Sequence, residues 1–297
     1  MEPNSGYSNA GNGISGTVPE IDLNNFIITV EVVPPAGPDP LHILSALDEL
    51  KDLPVDAFSV ATNPVAKPRM CALSLAALIQ QKTGMPAILH CTTRDNNRIS
   101  LQSMFWGAKA LGIHTVMAAT GDFISIEDGR SISDVKDINV FELIRLADES
   151  DMLTGAVFDF RPEVSGLEKE VERLEKKAAS GAAFAVTQPI YDRDMARTIS
   201  ITTGHIDIPI IMGILPLISL KHALFLHDRV PGISVPEKLM EKLGDSADPF
   251  AQGIANAREM LVIAKEFFGG ACIMPPLDRY DIVTPILKNS GIQRKGS

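Results

Sequence analysis

The chain has 297 residues, 45% of them hydrophobic and 22% charged, with a formal net charge of -10 and a pI near 5.1. That length exceeds a minimal domain and suits one (β/α)₈ barrel, which needs about 250 residues. The acidic balance argues against a nucleic-acid backbone as the main partner, and no apolar run nears the roughly 20 residues of a membrane span.

Residues 1–24 are rich in Gly, Ser and Asn and poor in large apolar side chains, so they are expected to form a flexible tail. Within it Gly11-Asn12-Gly13-Ile14-Ser15-Gly16 matches the G-x-G-x-x-G dinucleotide pattern. That fingerprint needs a strand before it and a helix after it, and here it reads as coincidence in a Gly-rich stretch. From residue 25 to 290 the chain alternates. Apolar runs predict strands at 26–33, 56–61, 86–91, 114–119, 153–158, 183–187, 208–213 and 271–274. Between and after them, helices are predicted near 40–51, 68–83, 98–112, 138–149, 165–180, 191–202, 217–226 and 250–268. In the 165–180 segment Leu167, Val171, Leu174 and Ala178 share a stripe, with Glu168, Glu172 and Glu175 outside it. Strict alternation gives a single (β/α)₈ (TIM) barrel, with a doubly wound open sheet as the rival. Residues 123–137 read as a long loop, 228–249 as an extension around a short helix, and 291–297 as a C-terminal tail.

Five strands run into a polar or ionisable residue: Glu31, Thr62-Asn63, His90, Thr120-Gly121-Asp122 and Thr187-Gln188. In a parallel barrel all strand C-termini share one face, so these side chains should converge on one mouth. Burial would raise the pKa of Glu31 and make it an acid usable near neutrality, unless an Arg or Lys pairs with it. Gly121 permits close approach of a planar ligand and Asp122 could stabilise a developing cation, or could simply cap a turn. His90 is either a hydrogen-bonded core histidine or a ligand contact. Gln188 could read a heterocycle edge or satisfy its own loop. Lys176 and Lys177 sit where cations complement a helix dipole. Arg279 could bind a carboxylate or pair with Asp278.

Other chemistries lack their residues. Cys71, Cys91 and Cys272 lie far apart, and no histidines stand in a His-x-x-x-His arrangement, so no metal site is expected. Sparse, odd cysteines suit a reducing compartment, and the N-terminus has no basic stretch followed by an apolar one, so the cytoplasm is expected. No strand ends in a lysine for Schiff-base chemistry. An acid, a carboxylate, an amide and a histidine without a nucleophile point to proton and hydride chemistry around an organic cofactor.

The motifs in order resemble those of the methylenetetrahydrofolate reductases, in particular the branch fused to bacterial homocysteine methyltransferases. They are Glu31-x-x-Pro34-Pro35, Asn63-Pro64-x-Ala66-x-Pro68-Arg69, His90-x-Thr92 and Gly112-Ile113-His114 leading to Thr120-Gly121-Asp122. Glu172-Arg173-Leu174-Glu175-Lys176-Lys177, Thr187-Gln188-Pro189, Gly213-Ile214-Leu215-Pro216 and Met274-Pro275-Pro276-x-x-Arg279-Tyr280 complete the series, which runs from about residue 26 to 288. The resemblance implies a flavin enzyme of one-carbon metabolism and methionine biosynthesis. It would reduce 5,10-methylenetetrahydrofolate to 5-methyltetrahydrofolate, with FAD or FMN bound and NADH or NADPH as donor. By position, Glu31 matches the family's general acid and Asp122 the carboxylate that stabilises the 5-iminium ion. Gln188, His222 and Arg279 match substrate contacts. Thr62, Asn63, His90, Thr120, Gly121, Asp122, Phe158, Arg173, Lys176 and Lys177 match flavin contacts. Ala61-Thr62 stands where the best-known members have Thr-Tyr, Thr120 where they have Arg, and Phe158 where they have Tyr. The alternative is a reductase or folate-binding subunit that receives electrons from a partner protein, as a homo-oligomer or as part of a complex.

Overall fold

Each predicted strand forms and hydrogen-bonds in parallel to the next, and the last returns to the first, closing the barrel in the order β1 to β8. The strands are β1 (Ile27–Val32), β2 (Ala57–Val60), β3 (Ala87–Thr92), β4 (Thr115–Ala119), β5 (Leu153–Phe158), β6 (Phe184–Pro189), β7 (Ile210–Ile214) and β8 (Gly270–Ile273). The helices are α1 (Leu41–Asp48), α2 (Ala72–Thr83), α3 (Arg98–Ala110), α4 (Val140–Asp148), α5 (Leu167–Ala179), α6 (Arg193–Thr203) and α7 (Leu220–Arg229). They are followed by α8 (Glu237–Asp245), α9 (Pro249–Phe267) and α10 (Val283–Leu287). The computed structural model describes residues 18–122, 124, 133–160, 166–230, 232–288 and 290–292. The glycine motif at 11–16, most of the expected 123–137 loop and residues 293–297 lie outside them.

Alternation along each strand sorts the side chains into two cores. Ile28, Val30, Phe58, Leu89, Val116, Ala156 and Ile273 face outward into the main core, where they meet helix residues such as Ile43, Leu75, Ile79 and Phe105. Each such aliphatic or aromatic side chain contributes about 1.5–3 kcal/mol on burial. Ile27, Ala57, Ile88, Met117, Phe184, Ile211 and Cys272 face inward and fill the barrel itself. Gly155 belongs to this packing, because a Cβ there would lie 2.4 Å from Phe184 Cζ. Its bare backbone is the room the phenylalanine ring occupies.

Local chemistry starts the helices where the pattern predicts. Asn139 and Glu142 form a reciprocal capping box on α4. Asn97, Asp192, Ser219 and Asp248 accept backbone amides at the starts of α3, α6, α7 and α9. The short helix expected within 228–249 is α8, and Leu239 and Leu243 pack it with Leu217 and Leu226 in a separate apolar cluster. Residues 18–24 differ from the expected tail. Ile21 is 9% exposed and joins the inward core, with Leu23 packed against it. Two apolar side chains suffice to anchor this segment, which the average composition of 1–24 obscures. At the other end Ile292 packs against the main core.

Candidate active site

Inward parity on β1, β2 and β3 brings Glu31, Ser59 and His90 to the mouth. Glu31 pairs in register with Ser59, and the Ser59 hydroxyl shares a 2.7 Å hydrogen bond with His90 Nε2. Burial, and secondarily the negative charge of Asp122, pushes the Glu31 carboxyl up to about 7. Burial pulls His90 down to about 4, so its imidazole is neutral at physiological pH. The mouth therefore holds a carboxyl that keeps its proton close to neutrality, which is the property a general acid needs.

The loops after β2 and β4 form the adjacent wall. Asn63, Val65 and Ala66 take left-handed conformations with φ of 41°, 49° and 56°. For β-branched Val65 this is a strained outlier. The Val65 amide donates to Asp122 Oδ2 at 2.5 Å, and Asn63 Oδ1 accepts the Arg69 amide at 3.0 Å. Asp122 is otherwise exposed, as is Thr120, while Thr62 is partly buried. Gly121 has φ of 93°, and a Cβ on it would approach Arg94 Cβ to 2.9 Å. Only glycine fits this turn.

Two residues here escape the sequence reading. Arg94 is 7% exposed and forks onto Asp95, with Nε to Oδ1 at 2.6 Å and Nη2 to Oδ2 at 2.7 Å. Its guanidinium also donates to the main-chain carbonyls of Asn63 at 3.0 Å and Asp122 at 3.2 Å. Asp95 accepts in addition from Asn63 Nδ2 and Thr92 Oγ1, both at 3.1 Å. This bonding, led by the Arg94 fork, outweighs burial and holds the Asp95 carboxyl below its usual range. The signal available was an Arg-Asp pair directly after an apolar strand, which reads as ordinary turn chemistry.

On the β5 side the expected residues separate. Phe158 is 1% exposed and lies in the helix-facing core, its ring centroid 6.1 Å from that of Phe160. Its side chain does not line the mouth. Leu153, Gly155 and Val157 are the inward residues of β5, and the same parity continues to Asp159. Lys177 reaches back from α5 to donate to the Val157 carbonyl at 2.5 Å. Burial, then the nearby charge of Arg173, lowers its ammonium to about 8, so it remains cationic at neutrality. Glu170, Arg173 and Lys177 share one helical face, with Arg173 Nη1 3.6 Å from Glu170 Oε1. Lys176 stands a hundred degrees around the helix and is exposed. The structure groups Arg173 with Lys177 and leaves Lys176 outside the pair.

Gln188 is partly buried at the end of β6, beside a register shift against β7 between Val186 and Pro189. Thr187 creates that step by accepting the Gly213 amide at 2.9 Å while donating to the Gln188 carbonyl at 2.7 Å. His222 lies in the first turn of α7, its Nδ1 accepting the Ile218 amide at 3.4 Å and its pKa lowered by burial. Arg279 pairs with Asp281, at 2.8 and 2.7 Å, while Asp278 faces His42 at 3.9 Å. The sequence alternative of an Arg279–Asp278 pair is thus replaced by one two residues on. Arg279 also stacks 4.8 Å from the Phe250 ring centroid. Among the described residues no group of His, Cys, Asp and Glu could hold a metal ion, and no helix is long and apolar enough to cross a membrane.

A closed parallel barrel whose C-terminal mouth gathers a raised carboxyl, an exposed carboxylate, a neutral histidine and an amide has the build of a barrel enzyme. The comparisons narrow that class. The chain belongs to the methylenetetrahydrofolate reductase family, whose sequence model matches residues 18–291, and it is an oxidoreductase. It is 27% identical over 212 residues to a 5,10-methylenetetrahydrofolate reductase of Pectobacterium carotovorum, covering 69% of this chain and 70% of that protein. The corresponding enzyme of Escherichia coli is 24% identical over 231 residues, covering 74% and 75%. Among solved structures, a Clostridium thermocellum protein that binds two copies of 5-methyl-5,6,7,8-tetrahydrofolic acid superposes with a TM-score of 0.63 at 15% identity, covering 88% and 93%. A 2,3-dimethylmalate lyase gives 0.51 at 17% identity, covering 88% and 76%. At those identities the two structures establish the shared barrel fold.

Proposed function

We propose that the chain reduces 5,10-methylenetetrahydrofolate to 5-methyltetrahydrofolate in a flavin-dependent reaction, with Glu31 as general acid and Asp122 as the stabiliser of the cationic intermediate. The observation that carries this reading is a pair of carboxyl groups in unlike surroundings at one mouth. Glu31 is held near 7 by burial, whereas Asp122 is exposed with a backbone amide on one oxygen. Surroundings this unlike support giving Glu31 the acid's role and Asp122 the stabiliser's. Glu31 would give its proton to folate N10, the bond from N10 to the methylene carbon would break, and the carbon would remain as the 5-iminium ion. The Asp122 carboxylate offsets the positive charge that appears there.

A bound flavin, FAD or FMN, would supply the hydride that completes the methyl group. The donor set fits such a group. Thr62, Asn63, His90 and the Thr120-Gly121 backbone offer hydrogen-bonding partners at the rim, and Arg173 with Lys177 offers paired cations for a phosphate. Phe158, buried in the helix-facing core, contributes no side chain to this set, and Lys176 lies apart from the Arg173–Lys177 pair. Gln188 presents an amide donor and acceptor for the pterin edge. His222 and Arg279 are the candidates for the rest of the folate, with Arg279 Nη1 uncommitted among the described residues.

Electrons would come from NADH or NADPH. A second reading, delivery by a partner protein, is favoured by the end of β2, where Ala61 is 7% exposed and carries neither a hydroxyl nor a ring to meet a nicotinamide. The test is anaerobic. Protein loaded with FAD or FMN should be reduced by a suitable donor and reoxidised by methylenetetrahydrofolate. Protein that takes up neither flavin, or whose reduced flavin ignores methylenetetrahydrofolate, would overturn the proposal.

A further inference from the structure

The Arg94 network reaches past Asp95 to both walls of the mouth. Arg94 extends the β3–β4 ladder, its amide donating to the Thr120 carbonyl at 3.0 Å, which sets its side chain against Gly121. From there one guanidinium binds the carbonyl of Asn63 on the β2 loop and the carbonyl of Asp122 on the β4 turn. Its charge is balanced by the forked bond to Asp95, so burial leaves no uncompensated ion.

Both segments it joins are unfavourable on their own. The β2 loop holds three non-glycine residues at positive φ, and the β4 turn has room only for glycine. Such conformations persist when their surroundings over-determine them. The ring is closed on its far side by the Val65 amide, which holds Asp122 Oδ2. Arg94 thus controls Asp122 twice: directly through its main chain, and through the Asn63–Val65 loop at its carboxylate.

We propose that Arg94 is a positioning residue for Asp122, fixing the carboxylate where positive charge develops on the substrate. The inference rests on the mouth being the site of folate reduction. Losing the fork would let the β2 loop relax, release the Val65 amide from Asp122 and misplace the carboxylate while the barrel stays folded. A displacement of about 1 Å at a reacting centre costs on the order of 10²-fold in rate.

Two measurements on Arg94→Met and Arg94→Lys test this, with Asp95→Asn as the milder variant should either fail to fold. Hydrogen exchange should show the Val65 amide losing protection in Arg94→Met while the barrel strands keep theirs. Stopped-flow absorbance on flavin-loaded protein should show the folate half-reaction slowed on the order of 10²-fold. Flavin reduction by the donor should fall far less than the folate half-reaction in the same flavin-loaded protein, and Arg94→Lys should fall between Arg94→Met and the unaltered chain. Retained protection at Val65, or equal loss in both half-reactions, would overturn the proposal. If the unaltered chain does not oxidise reduced flavin with folate, the proposed reaction fails, and the exchange result alone decides whether Arg94 positions Asp122.

Discussion

Holding Glu31 ready as an acid has a cost to the fold that can be measured without any substrate. Its carboxyl is raised from 4.5 to about 7 in the folded chain. An acid whose folded pKa exceeds its unfolded one destabilises the folded state as pH rises. The penalty is absent below the unfolded value, grows between the two and is complete above the folded one. At 1.36 kcal/mol per unit the ceiling is about 3 kcal/mol, lower to the extent that solvent screens a partly buried group. Glu31→Gln keeps the shape and cannot ionise. It should therefore match the unaltered chain in stability at about pH 4.5 and exceed it increasingly toward pH 8, by up to about 3 kcal/mol. Urea unfolding of both proteins across that range is the assay. A difference that stays constant with pH, or has the opposite sign at high pH, would refute the reasoning that burial holds this carboxyl protonated.

Asp122→Asn should slow the folate half-reaction by about 3 kcal/mol in barrier with flavin content normal, read by stopped-flow absorbance; an unchanged rate removes Asp122 from the chemistry. Lys177→Met should weaken flavin binding by about tenfold in a fluorescence titration. Because Lys177 loses its charge as pH rises through about 8, flavin affinity of the unaltered chain should fall across that pH and that of the variant should not. At the end of β2, Ala61 and Thr62 should make NADH a weak donor, about 1 kcal/mol per lost contact adding to a tenfold or larger weakening. Anaerobic titration with NADH, NADPH and reduced ferredoxin checks this, and rapid complete reduction by micromolar NADH would contradict it.

The barrel was legible because strands buried on both faces must be continuous apolar runs, and each run ends where its residues meet the mouth. Glu31 and His90 were legible for the same reason, as polar residues interrupting such runs. Phe158 was misplaced by position alone. The parity of Leu153 and Val157 sends it outward to the helices. Lys176 and Lys177 look equivalent in sequence, but the stripe through Leu167, Val171 and Leu174 puts only Lys177 on the barrel side. The Arg94–Asp95 fork was hidden because its meaning depends on carbonyls 31 and 28 residues away, which no local pattern encodes. Ile21 was lost in the average composition of its segment.

The most direct test of the account compares the two half-reactions of Glu31→Gln by anaerobic stopped-flow absorbance. Flavin reduction by the donor should proceed as in the unaltered chain. Reoxidation by methylenetetrahydrofolate should fall by ~10²–10⁴-fold, the usual contribution of a general acid. In the unaltered chain that second step should weaken as pH rises through about 7, where Glu31 gives up its proton. Loss of both half-reactions alike, or a folate step that survives the substitution, would contradict the assignment of Glu31 as the acid of this site.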